Sequence, residues 1–181
     1  MILSLLRKDP VQEAATALFT AAVDQARAPL FYEKFGVADT AEGRFEMLAM
    51  HVYLVLRRLK DASEPAERLS QRVLDAFFAN LDASLREMGV GDLSVGKKIR
   101  ALAESFYGRI SAYEAAMKPS ADVSALEAAV SRNVYEHAAS PFAPALARYF
   151  RAAAAYLGAQ PVSRIANGVV RFPDAAESLT E

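Results

Sequence analysis

The spacing best suited to chemistry lies between Leu85 and Lys98, in LREMGVGDLSVGKK. Gly91, Gly96 and Lys97 stand in the G-x-x-x-x-G-K register with which a phosphate-binding loop cradles a nucleotide. Such a loop continues into Ser or Thr, whose hydroxyl ligates Mg²⁺, and here that position is Lys98. Asp92 would place a carboxylate inside the cradle, and the residues before Gly91 have the periodicity of a helix, not of a buried strand. The stretch therefore reads as a glycine-rich turn between two helices. Gly89 is placed to stop the first in the left-handed conformation that a residue without Cβ adopts freely, and Asp92 or Ser94 to cap the second. Three of the chain's eight glycines fall between Gly89 and Gly96, beside Arg86, Glu87, Asp92, Lys97 and Lys98. A plain helical hairpin needs only one glycine, so this density points to a role for the connection.

Other constellations are thin. There is no cysteine, which removes disulfides, thiol catalysis and thiolate metal sites, and fits a reducing compartment. The two histidines are His51 and His137. A di-iron bundle needs Glu-x-x-His pairs on two helices, and none exists; Glu46 and His51 are five apart and point to different sides of their helix. Hydrolase, zinc and dinucleotide fingerprints are missing too. His51 interrupts the apolar run MLAMHVYLVL and reads as a hydrogen-bonded core or boundary histidine, with a metal or haem ligand as the alternative. What remains is charge in unusual company: Arg44 and Glu46 at a helix start, Arg57-Arg58, and Arg109. Taken alone, these are solvated faces and ordinary ion pairs. No enzyme, metal or cofactor is predicted.

The elements that position these residues are helices. At 181 residues, 53% of them hydrophobic, the chain suits one domain with a sizeable core, and its net charge of −1 implies no general polyanion surface. No apolar run approaches the ~20 residues needed to span a bilayer. Met1 to Lys8 lacks the pattern of a signal peptide and is expected to pack on the body, with a membrane-surface contact as the alternative.

Asp9-Pro10 opens a helix to about Ala28, ended by Pro29, and a short aromatic helix follows to Gly36. Asp39-Thr-Ala-Glu42 reads as a capping box for a helix to about Lys60, apolar nearly all round at Met47 to Leu56 and so central in a bundle. Gly43 in its first turn implies close approach of another backbone. Leu69, Val73, Phe77, Leu81 and Leu85 form the core stripe of a helix from about Pro65 to Met88. Further helices are expected from Val95 to Met117, from a capping box at Ser124 to His137, and from Ser140-Pro141 to a stop at Gly158. Asn167-Gly168 reads as a hairpin-type turn, and the tail after Phe172 as frayed. The fold class is all-α, a single bundle of about six helices with the charged glycine-rich loop between two long central ones.

Three strings carry a resemblance: FYEKFGVADTAEGRFEMLAMHVYLVLRRLK, LDAFFANLDASLREMGVGDLSVGKKIRALAESFYGRISAY and SRNVY. They are similar to the ubiquinol–cytochrome c chaperone family, the bacterial relatives of the mitochondrial assembly factor for cytochrome b. The resemblance covers about Tyr32 to Leu157, and departs from the family pattern at Ala38, where proline is expected. It implies an N-terminal helical segment (1–28), a chaperone-like helical domain (29–158) and a partly frayed C-terminal extension (159–181). It also implies an assembly factor for the cytochrome bc1 complex that binds newly made cytochrome b. The ribosome exit region, the membrane surface and a second small assembly protein are further implied partners, and DNA is not. The expected location is the bacterial cytoplasm, with peripheral attachment at the inner face of the membrane as a variant.

Such a role requires a surface that holds an apolar client reversibly, and a bundle can offer a groove for a helix. The candidate client-binding residues are Arg44, Glu46, Arg57, Arg86, Glu87, Gly89, Gly91, Asp92, Lys97, Lys98 and Arg109. A purely bracing role for Arg86, Asp92 and Lys97 stands beside this reading. The alternative function is a helical binder of quinone or haem, using an interior around Met47, Met50, His51, Tyr53 and Phe106.

Overall fold

A computed structural model of the chain describes residues 9–60, 65–136 and 139–179. The expectations for Met1 to Lys8 and for His137 lie outside these residues. Eight α-helices and one 3₁₀ helix follow one another, with no strand among the described residues: α1 Pro10–Ala26, α2 Pro29–Glu33, α3 Ala41–Lys60, α4 Pro65–Glu87, α5 Asp92–Ala116, α6 Val123–Val134, α7 Ala143–Ala159, α8 Val162–Ala166, and a 3₁₀ helix at Ala175–Leu179. Six are long, in agreement with an all-α bundle of about six helices.

The helix ends show which local signals prevailed. Asp9 caps α1 by accepting from the Val11 amide at 3.0 Å. At α3 the cap is Thr40, not Asp39: its hydroxyl accepts from the Gly43 amide at 3.2 Å, while Asp39 turns to Arg44 at 2.6 Å. Gly43 is required there, since a Cβ would lie 2.0 Å from the Ala38 carbonyl oxygen. At α6 the cap is Asp122, which accepts from both the amide (2.8 Å) and the hydroxyl (2.6 Å) of Ser124. The helix thus begins before the expected box and ends at Val134.

The α4–α5 connection is shorter than its composition suggests. Gly89 is left-handed (φ 84°) and closes α4 with paired bonds, Gly89 N–H to Arg86 C=O at 2.9 Å and Val90 N–H to Leu85 C=O at 3.0 Å. Neither Asp92 nor Ser94 caps α5. Gly91 does so with its backbone alone, and the helix begins at Asp92, so Gly96, Lys97 and Lys98 are helical. The expected long loop is a four-residue turn, Met88 to Gly91.

Asn167-Gly168 is not a hairpin. Gly168 (φ 82°) ends α8 with the same pair of bonds as Gly89, to Ile165 and Arg164, and sits so close to α1 that a Cβ would be 2.8 Å from the Ala14 Cα. α7 starts at Ala143 rather than Ser140-Pro141, and Gly158 lies inside its last turn, with Gln160 as the cap. The segment after Phe172 is docked, not frayed, as far as Leu179: Ala175 and Ser178 are buried, and Arg148 on α7 donates to the Ser178 carbonyl at 3.1 Å.

α3 is the central helix, in contact with α1, α4, α6, α7 and α8. Twelve of its twenty residues are buried, which accounts for its all-round apolar run. Its aromatic surroundings are edge-to-face and tilted pairs, such as Tyr113 on Phe150 at 4.8 Å and Phe77 on Phe106 at 4.8 Å.

Candidate client-binding cleft

The N-terminal half of α3, the C-terminal half of α4 and the stretch of α5 from Lys98 to Arg109 surround an open cleft of about 1110 Å³. Phe45, Leu48, Leu81, Leu85 and Leu102 give it an apolar floor, and Val23 and Ala26 of α1 close one side. Asp39, Glu42, Arg44, Glu87 and Lys98 line it as well, and all five are exposed. The helical spacing that makes Leu81 and Leu85 core residues also brings them to the cleft, because α4 and α5 are parted there by the turn at Met88 to Gly91.

Glu46 and Arg109 meet in the wall of this cleft. Arg109 Nε donates to Glu46 Oε2 at 2.5 Å, and Nη2 donates to Oε1, giving a two-pronged pair. Arg109 Nη1 donates to the Ser105 carbonyl at 3.0 Å and also meets the Ser105 hydroxyl. The guanidinium carbon lies 5.4 Å from the Phe45 ring centroid. Glu46 is 5% exposed, and burial pushes its carboxyl up from the usual range; the bonds from Arg109 oppose this, and Glu136 adds to it. On its other side Glu46 borders a second cleft of about 640 Å³, shared with Glu42, Glu136, Tyr135 and Phe142.

Of the residues singled out in the sequence, Arg44, Glu46, Glu87, Lys98 and Arg109 are brought together at the first cleft. The others are not. Arg86 bridges the helix ends, its Nε donating to Asp82 at 2.6 Å and its Nη1 to Asp92, so it ties the last turn of α4 to the first of α5. Asp92 is 86% exposed within that brace. Gly89, Gly91 and Lys97 are exposed and lie outside both clefts. Arg57 is on the far half of α3, where Nη1 donates to Glu114 at 2.9 Å and to the Tyr53 hydroxyl at 3.3 Å. Phe45, Leu48 and Leu102 were missed as lining residues. Their signal was an ordinary core stripe, and only the divergence of the helices distinguishes floor from core.

The interior offers little room for a quinone or haem. Met47, Met50, His51, Tyr53 and Phe106 are all at most 2% exposed, and none lines either cleft. Both nitrogens of His51 are occupied. Nδ1 donates to the Met47 carbonyl at 2.7 Å, which fixes the tautomer, so Nε2 accepts from the Tyr149 hydroxyl at 2.8 Å. Tyr149 accepts in turn from Gln25 Nε2 at 3.1 Å, which links α1, α3 and α7 through one buried chain. Complete burial holds the imidazole neutral, pulling its pKa down to about 4. Gln25 and Tyr149 gave no signal in the sequence beyond their helical positions.

Among the described residues no helix is long and apolar enough to cross a membrane, and no group of His, Asp or Glu side chains is arranged to hold a metal ion.

Comparison with known proteins follows the same lines. A solved structure described as the Cbp3 homolog from Brucella abortus is 36% identical and superposes with a TM-score of 0.85, over 98% of this chain and 99% of that one. The ubiquinol–cytochrome c reductase complex assembly factor 1 of Xenopus laevis is 23% identical over 104 residues, 58% of this chain. The chain spans about half (52%) of the length of that curated relative. The model of the ubiquinol–cytochrome c chaperone family matches residues 33–172, which include the α3, α4 and α5 walls of the first cleft and all the residues that line the second. The chain belongs to the ubiquinol–cytochrome c chaperone family, a family of assembly factors for the bc1 complex.

Proposed function

We propose that this protein binds newly made cytochrome b and holds it during assembly of the bc1 complex, with the cleft between α3, α4 and α5 as the client site. The observation that carries this is the cleft itself: an apolar floor of Phe45, Leu48, Leu81, Leu85 and Leu102 under charges of both signs. An apolar helix of a membrane protein, or its flanks, needs both: a surface that replaces lipid and a polar margin that stays wet. The role is one of binding, with no chemical step. The tightly packed surroundings of His51 argue against the quinone- or haem-binding alternative.

The test is site-specific photocrosslinking in the native host. A photoreactive residue placed at Leu102 or Lys98, inside the cleft, is expected to capture cytochrome b. The same group at Ser111, on the exposed outer side of α5, is expected to capture far less. Equal capture from both positions would remove the cleft as the site. Capture of other proteins with no cytochrome b would remove the client assignment.

A further inference from the structure

Thr40, Glu42, Glu46 and Glu136 line both clefts, so the two adjoin across these residues. Their chemistry differs. The first has an apolar floor under charges of both signs, whereas no lysine or arginine is among the described residues that line the second. Glu46, in its inner wall, is committed to Arg109. Glu42 and Glu136 are exposed at its rim, and neither has an ion-pair partner among the described residues. Two aromatic rings complete the second cleft. Phe142 is 44% exposed and lies across Gly36, where a Cβ would meet the ring at 2.6 Å. The Tyr135 ring stands 6.1 Å from it, pinned by a hydroxyl that donates to the Phe35 carbonyl at 2.7 Å. Both rings are therefore held in place before anything binds. Behind Glu46 and Asn133 lies the Tyr113 hydroxyl, buried and without a well-formed hydrogen bond, so its oxygen has lone pairs open to an N–H donor.

A concave site with unpaired carboxylates at its rim, aromatic rings in its wall and no base of its own suits a cation on an apolar stem. We infer that the second cleft is a subsite for a basic side chain of the client: an arginine or lysine enters it while the adjoining apolar stretch lies in the first cleft. Arginine fits better. Its planar guanidinium stacks on an aromatic ring and turns N–H groups towards Glu42 and Glu136, whereas a lysine meets the acids only as a point charge. A metal ion is a poorer occupant, since no group of carboxylates among the described residues is arranged to hold one. The inference rests on the client reading and adds a direction to it. The apolar segment runs along the first cleft towards the first turns of α3 and ends there in a basic residue, as the flanks of membrane helices commonly do.

The full chain is tested by fluorescence anisotropy with a short labelled peptide of alternating leucine and alanine that ends in arginine, and with its twin ending in citrulline, which keeps the shape and loses the charge. Wild type is expected to bind the arginine peptide about fivefold more tightly. Glu42→Gln with Glu136→Gln is expected to bring that ratio close to one. Both positions are exposed, so the thermal midpoint should be unchanged. Glu87→Gln, which removes an acid of the first cleft alone, is expected to keep the ratio. The proposal is overturned if wild type binds neither peptide or does not distinguish them, or if the double variant keeps the ratio. It is also overturned if Glu87→Gln abolishes the ratio as fully, which would assign the preference to the general field of the first cleft. The two readings fail separately. The expected ratios without capture of cytochrome b from Leu102 or Lys98 would keep the subsite and change the client, while capture without the ratios would keep the client and remove the subsite.

Discussion

Glu46 and Arg109 lie 63 residues apart in the chain and meet as a two-pronged ion pair that joins α3 to α5. The pair is asymmetric. Glu46 has 7% of its side-chain surface exposed and Arg109 has 20%, so the acid depends wholly on its partner while the base has a route to cleft water. Removing Arg109 strands a carboxylate in an apolar wall. Removing the charge of Glu46 leaves a guanidinium that still holds Ser105 and covers Phe45. Arg109→Ala is therefore expected to lower unfolding stability by about 2 to 4 kcal/mol, and Glu46→Gln by about 1 to 2 kcal/mol. Urea unfolding of the two variants checks the order, and equal losses would show that burial does not differ in effect between the two groups.

His51 gives the fold a pH dependence of known sign. Its folded pKa is drawn from 6.5 to about 4 by burial, so between those values the unfolded chain takes up a proton that the folded chain refuses. The stability that neutral His51 contributes is complete above about pH 6.5 and falls away as pH drops towards about 4, by about 3 kcal/mol in all. Glu46 runs in the opposite direction, since its raised pKa makes the folded state the better proton acceptor in acid. Urea unfolding of wild type and His51→Gln at pH 7 and pH 5 separates the two: the wild type is expected to lose more on acidification. The same variant should leave haem spectra unaffected, because neither ring nitrogen is free in the wild type.

How much of this was legible beforehand depends on the range over which each feature is decided. Helix existence is decided by local periodicity, and α3 and α4 follow directly from Met47 to Leu56 and from the stripe Leu69 to Leu85. Caps are also local, but neighbouring residues compete. Arg44 draws Asp39 away and leaves the cap to Thr40, while Asp122 accepts from both the amide and the hydroxyl of Ser124, so the serine is held by the cap instead of forming it. The glycine density near Gly91 misled in the other direction, because only Gly89 needs the left-handed conformation and Gly96 is simply helical. The cleft could not be read at all. Its walls come from four helices, and the partnership of Glu46 with Arg109 rests on how those helices pack, although each residue had drawn notice alone.

The glycines themselves make a matched test. Gly43 has the Ala38 carbonyl where a Cβ would be, whereas Gly96 and Gly108 have nothing within 4 Å. Gly43→Ala must push the Val37–Ala38 backbone off the start of α3, and is expected to lower stability by about 3 kcal/mol. Gly96→Ala and Gly108→Ala only restrict the unfolded chain, and each is expected to raise stability by about 0.5 to 1 kcal/mol. Thermal unfolding of the three variants reads the signs directly. A fall in stability for Gly96→Ala would mean that this face of α5 is covered by something in solution.

The cleft reading makes a prediction that separates client handling from folding. Lys98 and Arg44 are exposed at its margin, and Leu102 is half-buried in its floor. Lys98→Glu with Arg44→Glu reverses the positive side of the margin without touching the core, so the helical content should stay that of the wild type. Arg57→Ala removes a cation on the opposite half of α3 that pairs with Glu114 of α5, its side chain 35% exposed against 63% for Arg44, and so serves as the control. In tagged pull-downs after brief crosslinking, recovery of cytochrome b is expected to fall about fivefold or more for the double variant, as one to two kcal/mol of lost polar complementarity implies. It should hold near wild type for Arg57→Ala. Leu102→Gln is expected to lower recovery as well, at lower cost to stability than the same change at fully buried Phe106, because Leu102 already faces water in the unliganded cleft. If the double variant recovers as much client as wild type while Arg57→Ala loses it, the binding face lies at the other end of α3, around Tyr53 and Glu114, and the cleft is a gap between diverging helices.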